Sequence, residues 1–149
     1  YLTKKGEIMS QLISPTARCL CQGVTIHAKN INPKFTVCHC GSCRKWGGGP
    51  LFMLHCGADV TFEGEDLIKE YDSSPWATRA FCLECGTHLF SRFKKAGVYN
   101  IPVGLFPKTD NLEMDMQYFI DLKPEYYCFS NDTPTMTDAE IKVHFAAEV

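Results

Sequence analysis

A chain of 149 residues is most simply one domain, long enough to bury a core without covalent staples. Hydrophobic residues make up 45% and charged residues 21%, which excludes a disordered chain, and a net charge of −2 with no block of lysine or arginine argues against a nucleic-acid footprint. No apolar run approaches the roughly 20 residues that span a bilayer, and no secretory signal is visible.

In chain order, the first eight residues, YLTKKGEI, precede Met9 and read as a vector-derived or upstream remnant, with MSQLISPTARC as the expected natural start. Those eight residues are assigned no function, and residues 1–17 are taken as an N-terminal segment. Short strands follow. Residues 24–28 alternate after a glycine, and 51–56 form a continuous apolar run after Gly-Gly-Gly-Pro. Residues 67–71, 78–82, 88–93, 98–103 and 116–122 are also β-branched or aromatic-rich, bounded by Gly, Pro, Asp or Asn. Two helical pieces are predicted, a single turn over 41–46 and one opened by Thr137-Asp138-Ala139-Glu140, which has the form of a capping box. No linker, repeat or low-complexity stretch divides the chain. The expected fold is mainly β, its loops carrying cysteines, with a tail or short helix over 133–149.

Nine cysteines in so short a chain are the strongest signal. Without a signal peptide the expected compartment is reducing and cytoplasmic, where clustered cysteines mean metal rather than disulfides. Cys19-Leu20-Cys21 and Cys38-His39-Cys40 place one residue between sulfurs; a disulfide there would be strained, yet two thiolates can still face one ion. Cys82-Leu83-Glu84-Cys85-Gly86 has the form of a zinc knuckle, the glycine permitting a left-handed turn that brings N–H groups toward sulfur. The knuckle needs two more ligands. Cys19 and Cys21 can supply them, and so can Cys40 and Cys43; spacing alone does not choose. Pairing the knuckle with Cys19 and Cys21 is the economical division, because it closes one tetrahedral site and leaves Cys38, Cys40 and Cys43 as a compact group of three.

Three segments together carry a resemblance: Cys19-Leu20-Cys21-Gln22-Gly23-Val24, then Cys38-His39-Cys40-Gly41-Ser42-Cys43-Arg44-Lys45, then Ser73 to Thr87 with Trp76, Arg79 and the Cys82/Cys85 knuckle. Over about residues 18–132 the chain resembles the glutathione-dependent formaldehyde-activating (GFA) family, which includes centromere protein V-like members. One departure is visible: the family usually has glycine directly after the second cysteine, where Gln22 stands here. The resemblance implies a β-tent fold of antiparallel sheets. It implies a structural zinc on Cys19, Cys21, Cys82 and Cys85, and a second, labile zinc on Cys38, Cys40 and Cys43. It also implies reversible addition of glutathione to formaldehyde, a carbon–sulfur lyase reaction.

Three ligands and an open position are the pattern of a catalytic zinc site, so Cys38, Cys40 and Cys43 are the expected catalytic group. A free thiol, with a pKa near 8.5, is mostly protonated at neutral pH, whereas a coordinated one is deprotonated. Three thiolates on one divalent ion already carry net negative charge, so a fourth needs nearby cations. Arg44 and Lys45, next to Cys43, are the candidates, with Arg79 as a substrate-carboxylate contact or a structural ion pair. The alternative for Arg44 and Lys45 is a solvated face. Trp46 and Trp76 read as packing residues, Cys56 and Cys128 as core thiols, and His39 as a residue facing away from the ion and a proton-relay candidate. The expected partners are a small thiol such as glutathione and a small aldehyde, with neither nucleic acid nor membrane. The competing class is a non-catalytic, zinc-stabilised binding or scaffold module.

Overall fold

Short β-branched and aromatic runs cut by glycine, proline and aspartate fold as expected into strands rather than helices. The computed structural model describes residues 11–108 and 110–149; the expected remnant, residues 1–8, lies outside them. The strands are β1 (Thr16–Arg18), β2 (Thr25–Ala28), β3 (Lys34–Cys38), β4 (Leu51–His55), β5 (Val60–Glu63), β6 (Ile68–Asp72), β7 (Ala77–Cys82), β8 (His88–Phe93), β9 (Tyr99–Pro102), β10 (Glu113–Tyr118) and β11 (Thr135–Met136). Among the described residues there are two short helices, α1 (Gly41–Gly47) and α2 (Asp138–His144), the second following the last strand. One sheet has the order β1-β2-β5 and the other β11-β10-β3-β4-β9-β8-β7-β6.

Burial explains how the sheets meet. Val24, just before β2, and Ile26 and Ala28 within it share one core with Leu54, Ala80, Leu89, Phe90 and Ile101 of the large sheet. Most ladders are antiparallel. The exceptions are β10 with β3 and β10 with β11, both parallel. The first of these pairs needs a long crossover, and residues 39–112 provide it.

Several boundaries differ from expectation for local reasons. The predicted 67–71 strand begins one residue later, because Leu67 closes a 3-10 turn over Glu65–Leu67. The predicted 116–122 strand starts earlier and stops at Tyr118, where Phe119 turns left-handed (φ 57°) into a 3-10 turn over Ile120–Leu122. Strands β1, β3, β5 and β11 went unpredicted; three of them have four residues or fewer, and β3 runs into the cysteine cluster. The capping box at α2 is present, with the Glu140 amide donating to Thr137 Oγ1 (3.3 Å) and the Thr137 amide donating to Glu140 Oε2 (3.1 Å).

Two packing expectations need correction. Cys56 is a core thiol, but Cys128 is exposed. Its neighbours Tyr127 and Phe129 both turn their rings onto His39, so alternation aims Cys128 outward. Trp76 sits in the turn between β6 and β7 and is 50% exposed.

His55 closes β4 with both nitrogens engaged: Nδ1–H donates to Asn100 Oδ1 (2.6 Å) and Nε2 accepts from Thr36 Oγ1 (2.8 Å). Burial, the largest cause, holds this imidazole below its usual pKa, against the Asn100 bond. A histidine kept neutral in the fold stabilises above its unfolded pKa near 6.5, and that stability is lost as pH falls from there toward the folded value. We expect the unfolding free energy to fall between pH 7.5 and 5.5, by at most about 1.4 kcal/mol per pH unit for one proton, and the melting temperature with it. His55→Gln should be less stable at pH 7.5 but flatter with pH; parallel curves for the two proteins would refute the assignment.

Candidate metal centres

The first cluster is built from two hairpins. After β1 the chain turns tightly, with the Gln22 amide donating to the Cys19 carbonyl (3.0 Å). Gln22 itself is left-handed (φ 63°), the conformation a glycine would take freely at this position. The turn aims N–H groups at sulfur: Gly23 donates to Cys21 Sγ (3.4 Å) and Val24 to Cys19 Sγ (3.3 Å). From the other side, Cys82 ends β7, and the knuckle closes through Gly86, whose amide donates to the Cys82 carbonyl (2.8 Å) at φ 75°.

Thr87 ties the hairpins together, its hydroxyl accepting from the Leu20 amide (3.1 Å) and lying 3.1 Å from Cys85 Sγ. That contact is the main reason Cys85 is pulled down to about 5. Cys21 goes the other way, to about 12: the Gly23 amide lowers it, but hydrogen bonds with Cys19 and Cys85 outweigh that. The sulfurs of Cys19, Cys21, Cys82 and Cys85 all lie within 4.8 Å of one another, with 3.5 Å between Cys19 and Cys21 and 3.8 Å between Cys21 and Cys82. Tetrahedral metal–thiolate bonds of about 2.3 Å put sulfurs roughly 3.8 Å apart. The donor set fits a metal ion, and the knuckle faces Cys19 and Cys21 rather than Cys40 and Cys43.

The second cluster lies where β3 runs into α1. Cys38 is the last residue of β3, and Cys40 caps α1, its Sγ accepting from the Cys43 amide (3.3 Å). The first helical turn brings Cys43 back, so the three sulfurs lie within 4.8 Å of one another. Cys38 and Cys43 are buried and Cys40 partly so.

His39, between two of these thiols, is fully buried. Its Nε2–H donates to Gln117 Oε1 (2.9 Å) and its Nδ1 accepts from the Tyr127 hydroxyl (2.7 Å). The His39 amide bonds the Tyr118 carbonyl (3.0 Å), extending the β3–β10 ladder. Burial keeps the imidazole neutral.

Crowding governs the protons of this cluster. Cys40 is pulled down to about 2, first by hydrogen bonds from Cys38 and Cys43, then by the Cys43 amide and Arg79. Cys38 is pushed strongly up, chiefly by its bond to Cys40, then by Cys43 and burial. Cys43 is lowered by Cys38 but raised overall by Cys40 and burial. One thiolate forms easily here. Three together require a cation.

The expected cations divide. Arg44 turns its Nε to the His39 carbonyl (3.0 Å), and Lys45 is exposed with no hydrogen bond or ion pair among the described residues. A helix turns about 100° per residue, which carries positions 44 and 45 away from Cys43. Arg79, arriving from β7, donates Nη2 to Cys43 Sγ (3.6 Å) and lies over Trp46 (4.9 Å). Trp46 stacks in turn on His88 (4.2 Å, 12° between planes). Gln117, Tyr127 and His88 carried no pattern in the sequence; they meet the cluster only through tertiary pairing.

The sequence model of the family described as "glutathione-dependent formaldehyde-activating enzyme" matches residues 14–122, which include both clusters. An uncharacterized lyase of Schizosaccharomyces pombe is 34% identical over 124 residues, covering 83% of this chain and 90% of that protein. A crystal structure of a Rhodobacter sphaeroides protein aligns with a TM-score of 0.54 at 17% identity, over 81% of this chain and 99% of that one, and supports the fold.

Proposed function

The chain belongs to the glutathione-dependent formaldehyde-activating family, and on that premise we propose that it is a zinc-dependent carbon–sulfur lyase. Its reaction splits a thiol adduct of formaldehyde or another small aldehyde, with S-hydroxymethylglutathione as the reference substrate, and runs the addition in reverse. Cys19, Cys21, Cys82 and Cys85 hold a structural zinc, and Cys38, Cys40 and Cys43 hold a labile one; all-sulfur sets of this kind suit zinc. The setting is a reducing, cytoplasmic one.

One observation carries the reading: the second cluster brings together three thiols and, among the described residues, no fourth histidine, cysteine or carboxylate donor. A bound zinc would supply a position that holds the substrate sulfur as thiolate. In the cleavage direction the carbon–sulfur bond breaks, its electron pair stays on sulfur, and the hydroxyl proton passes to solvent as the aldehyde carbonyl forms, so the adduct becomes thiolate, aldehyde and a proton. The chain's own contribution is preorganisation. His39, clamped by Gln117 and Tyr127, holds the Cys38–Cys40 segment against β10 before substrate arrives. This makes His39 an anchor rather than a relay. Arg79 places a fixed positive charge beside the sulfurs.

Exchange between S-hydroxymethylglutathione and its free components, followed by NMR, tests the proposal. Wild-type protein should accelerate it, Cys43→Ala should run at the uncatalysed rate, and Cys128→Ala should match wild type. A wild-type rate equal to the uncatalysed one would move the chain to the scaffold class or to another thiol.

A further inference from the structure

Arg79 is a cation without a carboxylate. No ion pair among the described residues includes it, although Lys34, Arg92, Lys94 and Lys142 each have an acidic partner. Among the described residues its Nη1 is buried without a hydrogen-bond partner, and its Nη2 reaches only the sulfur of Cys43. Arg79 is half-buried, and a charge partly withdrawn from water without compensation is costly, so residues that tolerate one generally have a counter-charge close by. The cysteine cluster is the anion on hand. The guanidinium is also fixed in place, layered on Trp46, which is layered on His88. Burial, then Arg79, keeps His88 neutral, so the stack carries one positive charge.

Three neutral thiols would leave Arg79 unbalanced. Three thiolates around a divalent ion carry net negative charge, which one guanidinium cancels. A further anion then enters a locally neutral site instead of an anionic one, in surroundings where like charges repel strongly. We propose that Arg79 is the specificity-determining residue of the three-cysteine site, setting its preference for an anionic thiolate over a neutral donor. This rests on the proposed function to the extent that the cluster must hold a metal. It also separates the three cations near Cys43 by role, since Arg44 is committed to a backbone carbonyl and Lys45 to solvent.

Cobalt(II)-substituted protein gives a readout independent of turnover, because sulfur-to-cobalt absorption reports both loading and ligand exchange. In Arg79→Met, cobalt at the three-cysteine site should bind about 10- to 100-fold more weakly against a competing chelator, the scale on which residues that support metal ligands act. The ratio of 2-mercaptoethanol affinity to imidazole affinity should fall at least about tenfold, with Arg79→Lys recovering part of it because charge returns without the planar stack. If Arg79→Met loses its circular dichroism signature, Arg79→Gln, uncharged but still a donor, is read in the same way. A ratio within about twofold of wild type in the uncharged variant would reduce Arg79 to a packing residue and overturn the inference. Failure of the lyase reading looks different: ligand choice would respond to Arg79 as described, yet wild-type protein would be inert toward S-hydroxymethylglutathione.

Discussion

Cys82→Ser is expected to cost the protein its fold, while Cys40→Ser costs only a metal ion. Cys82 is fully buried at the end of β7, and its cluster joins the β1–β2 hairpin to the large sheet. Metal binding at such a site is folding free energy, of the order of 10 kcal/mol in small zinc domains, against a total domain stability of roughly 5–15 kcal/mol. Removing one of four thiolates should therefore leave little folded protein at 37 °C. Cys40 lies elsewhere, at the helix N-cap, where serine is among the best residues and can accept the same bond from the Cys43 amide. With both clusters loaded as proposed, we expect Cys40→Ser to lose one of two metal ions per chain and to melt within a few degrees of wild type. Metal content by mass spectrometry and melting by circular dichroism decide it; equal loss of stability in both variants would show the division into structural and labile sites to be wrong.

Gly64→Ala should be the most damaging change that touches no cysteine. Gly64 opens the 3-10 turn before β6 at φ 79°, and a Cβ there would stand 1.9 Å from the Gly23 carbonyl oxygen. Backbone cannot swing aside as a side-chain tip can. A left-handed alanine costs about 1–2 kcal/mol and forced overpacking about 1–3 kcal/mol more, so the sum is about 2–5 kcal/mol. At a few degrees per kcal/mol this lowers the melting temperature by roughly 5–20 °C. The turn also presents the Leu67 carbonyl to the Leu83 amide (2.7 Å), inside the knuckle, so zinc should be released at lower chelator concentration. Gly48→Ala is the control. It has a similar φ of 83°, but an added Cβ would meet no atom within 4 Å beyond its local backbone among the described residues, and it should cost only the left-handed strain. If the two variants melt together, the contact with Gly23 is not tight.

The cysteines were legible because metal ligation leaves its mark in short spacings: C-x-C, C-x-x-C and the helical return from Cys40 to Cys43 are all local. Partner choice was not local. Cys82 meets Cys19 and Cys21 through a sheet-to-sheet arrangement that no spacing encodes, and the bare residues left both pairings open. The same limit misplaced the compensating charge. Arg44 and Lys45 adjoin Cys43 along the chain, but helical rotation carries them off, while Arg79 arrives from a strand 36 residues away. The mainly β character was readable from residue type. Strand β3 was missed because its alternation runs straight into Cys38, and its parallel pairing with β10 was missed because pairing partners so distant leave no local pattern.

That pairing has a consequence for the order in which the molecule can be assembled. Every donor of the four-cysteine cluster has been synthesised once residue 85 exists, whereas the segment carrying Cys38 has β4 on one flank and, on the other, β10, which ends at Tyr118. Chains emerge from the ribosome N-terminus first, and contacts between distant residues form late because loop closure must be met before they are rewarded. The three thiols near residue 40 are thus made early and framed late. Through that interval they are available to any ion or oxidant the cell presents, while the other cluster can already close.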